Sequence, residues 1–254
     1  MIDLIMEEAK KFQGEISIVL KDLKSGKWII KFEENKVYPS ASLIKVPIMI
    51  EALCQVKEKK LGLYDRIEIK KEDRVDYSIV SDLTIGEYSL QDLITLMIIV
   101  SDNTATNVLI DILGFNEINS RLEVLNCHHT KLQRKMLDFD MARKGKDNFT
   151  SAGDMASLME GIYDNSILGT EYSRIAVDIL LKQKYKDKLG RYISEDISIA
   201  HKTGELSKVS HDVGIFYLDN IHYLIGVLTK DVDSVLGQRT IGNISKIIYE
   251  YEVK

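Results

Sequence analysis

Hydrophobic alternation with a period of two at both ends of the chain, helical periodicity across its middle and an ordinary soluble composition together predict an α/β (α+β) fold. Its antiparallel sheet of about five strands is built from both termini and flanked by terminal helices, and an all-helical lobe is inserted. Residues 1–42 and 194–254 would form the sheet lobe, and 43–193 the helical lobe, as one compact unit with a cleft between them. The 254 residues can bury a large core without disulfides or a structural metal. Apolar residues make up 45% and charged ones 29%, and the net charge is −5. Lysines and acids are interspersed, which argues against a nucleic-acid or anionic-membrane partner. No apolar run approaches the roughly 18 residues of a membrane span. A monomer is expected.

Each element has its own signal. Ile2, Ile5, Met6, Ala9 and Phe12 form a helical stripe that Gly14 stops. Ile16, Ile18 and Leu20, then Trp28, Ile30 and Phe32, alternate around Lys24-Ser25-Gly26-Lys27 and predict a β-hairpin. From Leu43 to about Tyr192 the signal is mainly helical. Its clearest stretch is Ser89 to Val100, with Leu90, Leu93, Ile94, Met97 and Ile98 behind a Ser89-x-x-Asp92 cap. A helix from Thr104 to Leu113 ends at Gly114. Leu132 to Thr150 loses periodicity, and irregular loops of that length are usually functional. Three strands return around Ile197–Lys202, Val213–Leu218 and His222–Leu228, before a last helix from Val235 to about Tyr251.

Cys54 and Cys127 are two cysteines in a long chain and are read as free thiols. Cys127-His128-His129 lacks a second ligand pair at finger-like spacing, so no metal site is expected. Met1 to Phe12 carries acids where an export signal carries basic residues. The chain reads as cytoplasmic as written, or as secreted or periplasmic if it is a trimmed form.

Three short elements can carry chemistry. Ser42-Leu43-Ile44-Lys45 puts a hydroxyl and an amine one turn apart, where a lysine of lowered pKa can activate a serine nucleophile. Backbone N–H groups at a helix start can also receive an oxyanion. Ser101-Asp102-Asn103 joins two helices, and Lys202-Thr203-Gly204 closes a strand where a cation and a hydroxyl can hold a carboxylate. Taken singly, each is also what a cap or turn would use.

Taken together and in this order, S-x-x-K, S-D-N and K-T-G form the signature of class A β-lactamases and penicillin-binding proteins. The chain resembles that family through Ala41–Pro47, Val75–Ser78, Ser101–Asn107 and Ala200–Gly204, and in its order of elements. The resemblance implies that Ser42 is acylated by a β-lactam or ester, that Lys45 takes or relays its proton, and that Ser101 protonates the leaving nitrogen. It further implies that Asn103 binds the substrate amide, that Lys202 and Thr203 hold the carboxylate, and that Tyr77 stands at the cleft mouth. The oxyanion hole would be the backbone N–H groups of Ser42 and of Glu205, which follows Gly204. No cofactor or metal is implied, and the partner is a small β-lactam or acyl-D-Ala-like molecule.

The sequence departs from the family where the acyl-enzyme is hydrolysed. Family hydrolases place a glutamate two residues after an arginine of the irregular loop, and here Arg134 is followed by Met136. Asp138 and Asp140 are the nearest carboxylates, shorter and out of register. The usual loop bridge is in question, because Asp147 lies off register and Phe149 falls at the partner's place. The second carboxylate-binding arginine is missing, with Lys208 or His211 as candidate replacements and a turn role as the alternative for His211. The expectation is a β-lactamase-like serine hydrolase with slow deacylation. The alternatives are a penicillin-binding or D-alanyl-D-alanine peptidase-like or esterase activity, and a non-hydrolysing β-lactam-binding protein.

Overall fold

The computed structural model describes residues 1–252. In chain order its elements are α1 (Ile2–Lys11), β1 (Glu15–Asp22), β2 (Trp28–Phe32) and β3 (Tyr38–Pro39), then a 3-10 turn (Ala41–Ile44) and α2 (Lys45–Lys57). β4 (Arg66–Glu68), α3 (Ile79–Asp82), β5 (Glu87–Ser89), α4 (Leu90–Ile99), α5 (Asn103–Leu113) and α6 (Phe115–Val124) follow. The remainder is α7 (Phe139–Arg143), β6 (Phe149–Thr150), α8 (Ala152–Tyr163), α9 (Gly169–Leu180), β7 (Ser198–Leu206), β8 (Val209–Tyr217), β9 (His222–Lys230) and α10 (Ser234–Glu252).

The five-stranded antiparallel sheet runs β2-β1-β9-β8-β7, so the first and last thirds of the chain meet where β1 pairs with β9. This is the sheet that the alternation predicts. Its strands are more buried than alternation alone suggests, because both faces are covered. One face packs Ile18, Leu20 and Ile225 against Ile5 of α1 and Ile241 and Ile244 of α10. The other places Val19, Val213 and Leu228 on the large core that also contains Leu53 of α2, Leu93 of α4 and Met155 of α8. Two short ladders, β3 with β6 and β4 with β5, accompany the helices and were too short to register as alternation.

α2 is the axis of the helical part. Every residue from Lys45 to Val56 is buried, so this helix has no solvent face and carries its first residue, Lys45, into the interior. The cap predicted for α4 is formed in both directions, with Ser89 Oγ accepting the Asp92 N–H (3.1 Å) and Asp92 Oδ2 accepting the Ser89 N–H (3.1 Å). Cys54 and Cys127 are free and buried. No helix among the described residues is long and apolar enough to cross a membrane.

His211 corrects a sequence expectation. It lies within β8, not in a turn, and its ring is buried edge-on against Tyr38. Nε2 donates to Pro39 O (2.9 Å) and Nδ1 accepts the Thr229 N–H (3.1 Å), so it offers no contact to a substrate carboxylate. Lys208 occupies the β7–β8 turn with φ +61°. Burial lowers His211 from 6.5 to about 4, against smaller opposing effects of the Pro39 and Ser210 carbonyls. The unfolded chain therefore binds the extra proton between these values, and stability present above pH 6.5 is lost as pH falls toward 4. The expected loss is on the order of 3 kcal/mol from this residue. Urea unfolding at pH 7 and pH 4.5 should show a smaller pH effect in His211→Gln than in the wild type; equal effects would refute the assignment.

Candidate active site

The local folding of each motif sets its chemistry. Ser42 sits in the 3-10 turn ahead of α2, half-buried and facing a cleft of about 680 Å³. β7 passes close behind it: a Cβ added at Gly204 would lie 3.2 Å from Ser40 O and from Ala41 Cβ. Glycine is what allows that approach. β7 continues two residues beyond Lys202-Thr203-Gly204, to Leu206, so this motif lies inside the strand and not at its end.

Lys45 and Lys202 are fully buried, and both reach Ser101. Lys45 Nζ donates to Ser101 O (2.6 Å), Ser101 Oγ (3.1 Å) and Asn103 Oδ1 (3.0 Å). Lys202 Nζ donates to Ser101 Oγ (3.0 Å) and Thr203 O (2.8 Å). The Ser101 hydroxyl thus bridges two amines. Lys45 does not hydrogen-bond Ser42, the partner that the motif spacing suggests; its bonds go across the cleft floor. Burial, reinforced by the nearby Lys202 charge, holds Lys45 well below the ordinary lysine range, with Asp102 opposing. Burial lowers Lys202 to about 7, with Asp212 opposing and Lys188 adding to the shift. Two amines whose hold on a proton is weakened by burial, joined by a hydroxyl, form a path for proton transfer.

Ser101 is held in this position by its neighbour. Asp102 is buried; its Oδ1 accepts from Ser78 Oγ (2.8 Å) and the Ala105 N–H (2.9 Å), and its Oδ2 accepts from the Val80 N–H (3.0 Å). It caps α5 and ties down the 75–82 segment that carries Tyr77, which is 84% exposed at the cleft. Ala41, Tyr77, Ser101 and Leu137 all line the cleft with φ between +47° and +64°. Non-glycine residues adopt this region at a cost of about 1 kcal/mol or more each, and such strain concentrates at functional sites. Asp102→Ala, which leaves three buried donors unpaired, should lower the unfolding free energy by about 3 kcal/mol or more. Asp92→Ala removes only the cap of α4 and should cost about 1 kcal/mol. Chemical denaturation of both variants tests this, and equal losses would contradict it.

The irregular loop is pinned by side chains on either side of Met136. Arg134 Nε pairs with Asp147 Oδ1 (2.7 Å), so Asp147 is the bridging partner and Phe149 is instead part of β6. Asn148 Oδ1 accepts the Gln133 N–H (2.7 Å) and the Arg134 N–H (3.0 Å). Asn107 brackets Met136 itself, accepting its N–H (2.7 Å) and donating to its carbonyl (3.2 Å). Met136, Leu137 and Phe139 line the cleft, whereas Asp138 and Asp140 do not. Asp138 caps α7 and Asp140 pairs with Arg143.

The cleft gathers Ser42, Tyr77, Ser101, Asn103, Thr203 and Glu205 along its wall, with Lys45 and Lys202 beneath. Tyr185, Asp187 and Lys188 also line it. They follow no motif, and the sequence offers only a charged connection there.

The family model described as the Beta-lactamase enzyme family matches residues 2–252. Beta-lactamase BRO-1 of Moraxella catarrhalis is 26% identical over 192 residues, which cover 73% of this chain and 61% of that protein. The chain therefore spans about three fifths of the length of that curated relative. The crystal structure of a beta-lactamase from Sphaerobacter thermophilus DSM 20745 is 26% identical, with TM-score 0.89 over 98% of this chain and 96% of that one. A mutant of PBP-A in an acyl-enzyme complex with penicillin G is 25% identical, with TM-score 0.88 over 98% of this chain and 94% of that one.

Proposed function

The chain belongs to the beta-lactamase enzyme family, and from that premise we propose that it opens the β-lactam amide through an acyl-enzyme on Ser42 and releases the product slowly. The observation that carries this reading is the Ser101 hydroxyl suspended between Lys45 and Lys202 at the floor of the Ser42 cleft. Neutral Lys45 takes or relays the Ser42 proton as Oγ attacks the lactam carbonyl, which requires its amine to give up one of its bonds to Ser101 and Asn103 and turn to Ser42. The Oγ–C bond forms, negative charge develops on the carbonyl oxygen, and the backbone N–H groups of Ser42 and Glu205 receive it. The C–N bond then breaks, and Ser101 passes its proton to the leaving nitrogen while being reprotonated from Lys45. Lys202 and Thr203 hold the substrate carboxylate, Asn103 its side-chain amide, and Tyr77 its exposed edge. The sheet lobe of residues 1–42 and 194–254 supplies Ser42, Lys202, Thr203 and Glu205, and the inserted 43–193 lobe supplies Lys45, Tyr77, Ser101 and Asn103.

Met136 favours a second reading for the fate of the adduct. With an apolar side chain where a water-activating carboxylate is expected, the chain is also suited to a penicillin-binding or peptidase-like role, or to one that ends at the acyl-enzyme. A fluorescent penicillin, followed by intact mass and by product, separates these. A burst and then steady release supports hydrolysis, and a lasting adduct supports the second reading. No label on Ser42, or equal labelling of Ser42→Ala, would end both.

A further inference from the structure

Between α9 and β7 the chain lacks regular secondary structure, yet residues 183–189 are tied to both sides of the cleft. Gln183 Nε2 donates to Ile98 O (2.9 Å), the Lys184 N–H to Ile99 O (3.0 Å) and the Tyr185 hydroxyl to Val100 O (3.3 Å). These three carbonyls lead directly into Ser101. At the other end the Leu189 N–H donates to Asp212 Oδ2 (3.0 Å), and Lys188 Nζ donates to Glu205 Oε2 (2.9 Å). The segment straps the backbone that presents Ser101 to the strands that present Lys202 and Glu205.

Lys188 is the joint of this strap. Its side chain is buried between Asp187 (3.2 Å) and Glu205 (2.9 Å), and Gln238 Nε2 of α10 meets the same Glu205 oxygen at 3.0 Å. Burial lowers the Lys188 pKa, but Asp187, Glu205 and Asp212 outweigh it and hold the group above the ordinary lysine range. A charged group taken out of water persists only with such pairing. Lys188 and both of these acidic partners line the cleft, and its ammonium is matched by them.

We propose that Lys188 is a positioning residue for acylation, fixing through Glu205 the end of β7 that supplies an oxyanion donor. The proposal rests on the Ser42 acyl-enzyme reading.

The test is the rate of Ser42 labelling by fluorescent penicillin. Lys188→Met should slow labelling about 10- to 100-fold, less than the full loss of one oxyanion donor. Lys188→Arg, which keeps the pairing with Glu205, should restore most of the rate. Glu205→Gln, at a half-exposed position where folding is not at stake, should slow labelling as well, and the double variant should be no slower than Lys188→Met alone. Wild-type rates in Lys188→Met, a rate left low in Lys188→Arg, or additive losses in the double variant would each overturn the proposal. Failure of the acyl-enzyme reading would show separately, as absence of label on the wild-type protein.

Discussion

Lys45→Met is expected to slow acylation of Ser42 by about 10³-fold, within the range typical for loss of a general base. Methionine matches the length of lysine and can follow the same buried path at the start of α2, where every residue from Lys45 to Val56 is buried. The substitution therefore removes the proton acceptor with little change in shape. It also leaves Ser101 O and Asn103 Oδ1 without the donor that aligns them, which adds to the loss. The rate of adduct formation by intact mass measures this. A rate within tenfold of the wild type would show that Lys45 is not the base, and would direct attention to Ser101 and Lys202. The depressed pKa of Lys45 is what makes the role chemically reasonable, because a lysine in its ordinary range would be almost wholly protonated at neutral pH.

Met136→Glu is expected to shorten the lifetime of the acyl-enzyme by about 10²- to 10⁴-fold, equivalent to roughly 3 to 5 kcal/mol of barrier. The loop is already built to place that side chain. Asn107 holds the backbone of residue 136 from both sides, and the Arg134–Asp147 pair and Asn148 fix the flanking turns without using the methionine side chain. A glutamate carboxyl there lines the Ser42 cleft and can take a proton from water attacking the ester. Met136→Gln has the same reach without a base and should leave the lifetime near that of the wild type. Decay of the penicillin adduct, followed after removal of free drug, distinguishes the variants. If both substitutions act alike, the slow step is limited by something other than the missing carboxylate. Asp138 and Asp140 do not compensate, being engaged in a helix cap and a surface pair outside the cleft.

Lys45 and Lys202 show how far the chemistry is legible from residue order. Their motifs identify them as chemical groups, but the spacing of Ser42 and Lys45 suggests a direct contact, whereas the structure directs Lys45 to Ser101 and Asn103. A local motif reports residues that share a helical turn; it does not report which acceptors a second segment 56 residues away offers to the lysine. The loop register gives the same lesson, since Asp147 looks out of step by counting and is brought onto Arg134 by the course of the chain. Lys188 leaves no trace in the pattern at all.

By itself the sequence determined the sheet from both termini, the central helices, the three motifs and the absence of a glutamate near Met136, because periodicity, caps and residue identity are local properties. The tertiary structure alone decided the burial that weakens the proton hold of Lys45 and Lys202, the burial of His211 in β8 and the strap that joins Ser101 to Glu205. Each depends on which groups from distant segments share a space without water, and desolvation and Coulomb interaction act across that space regardless of separation along the chain.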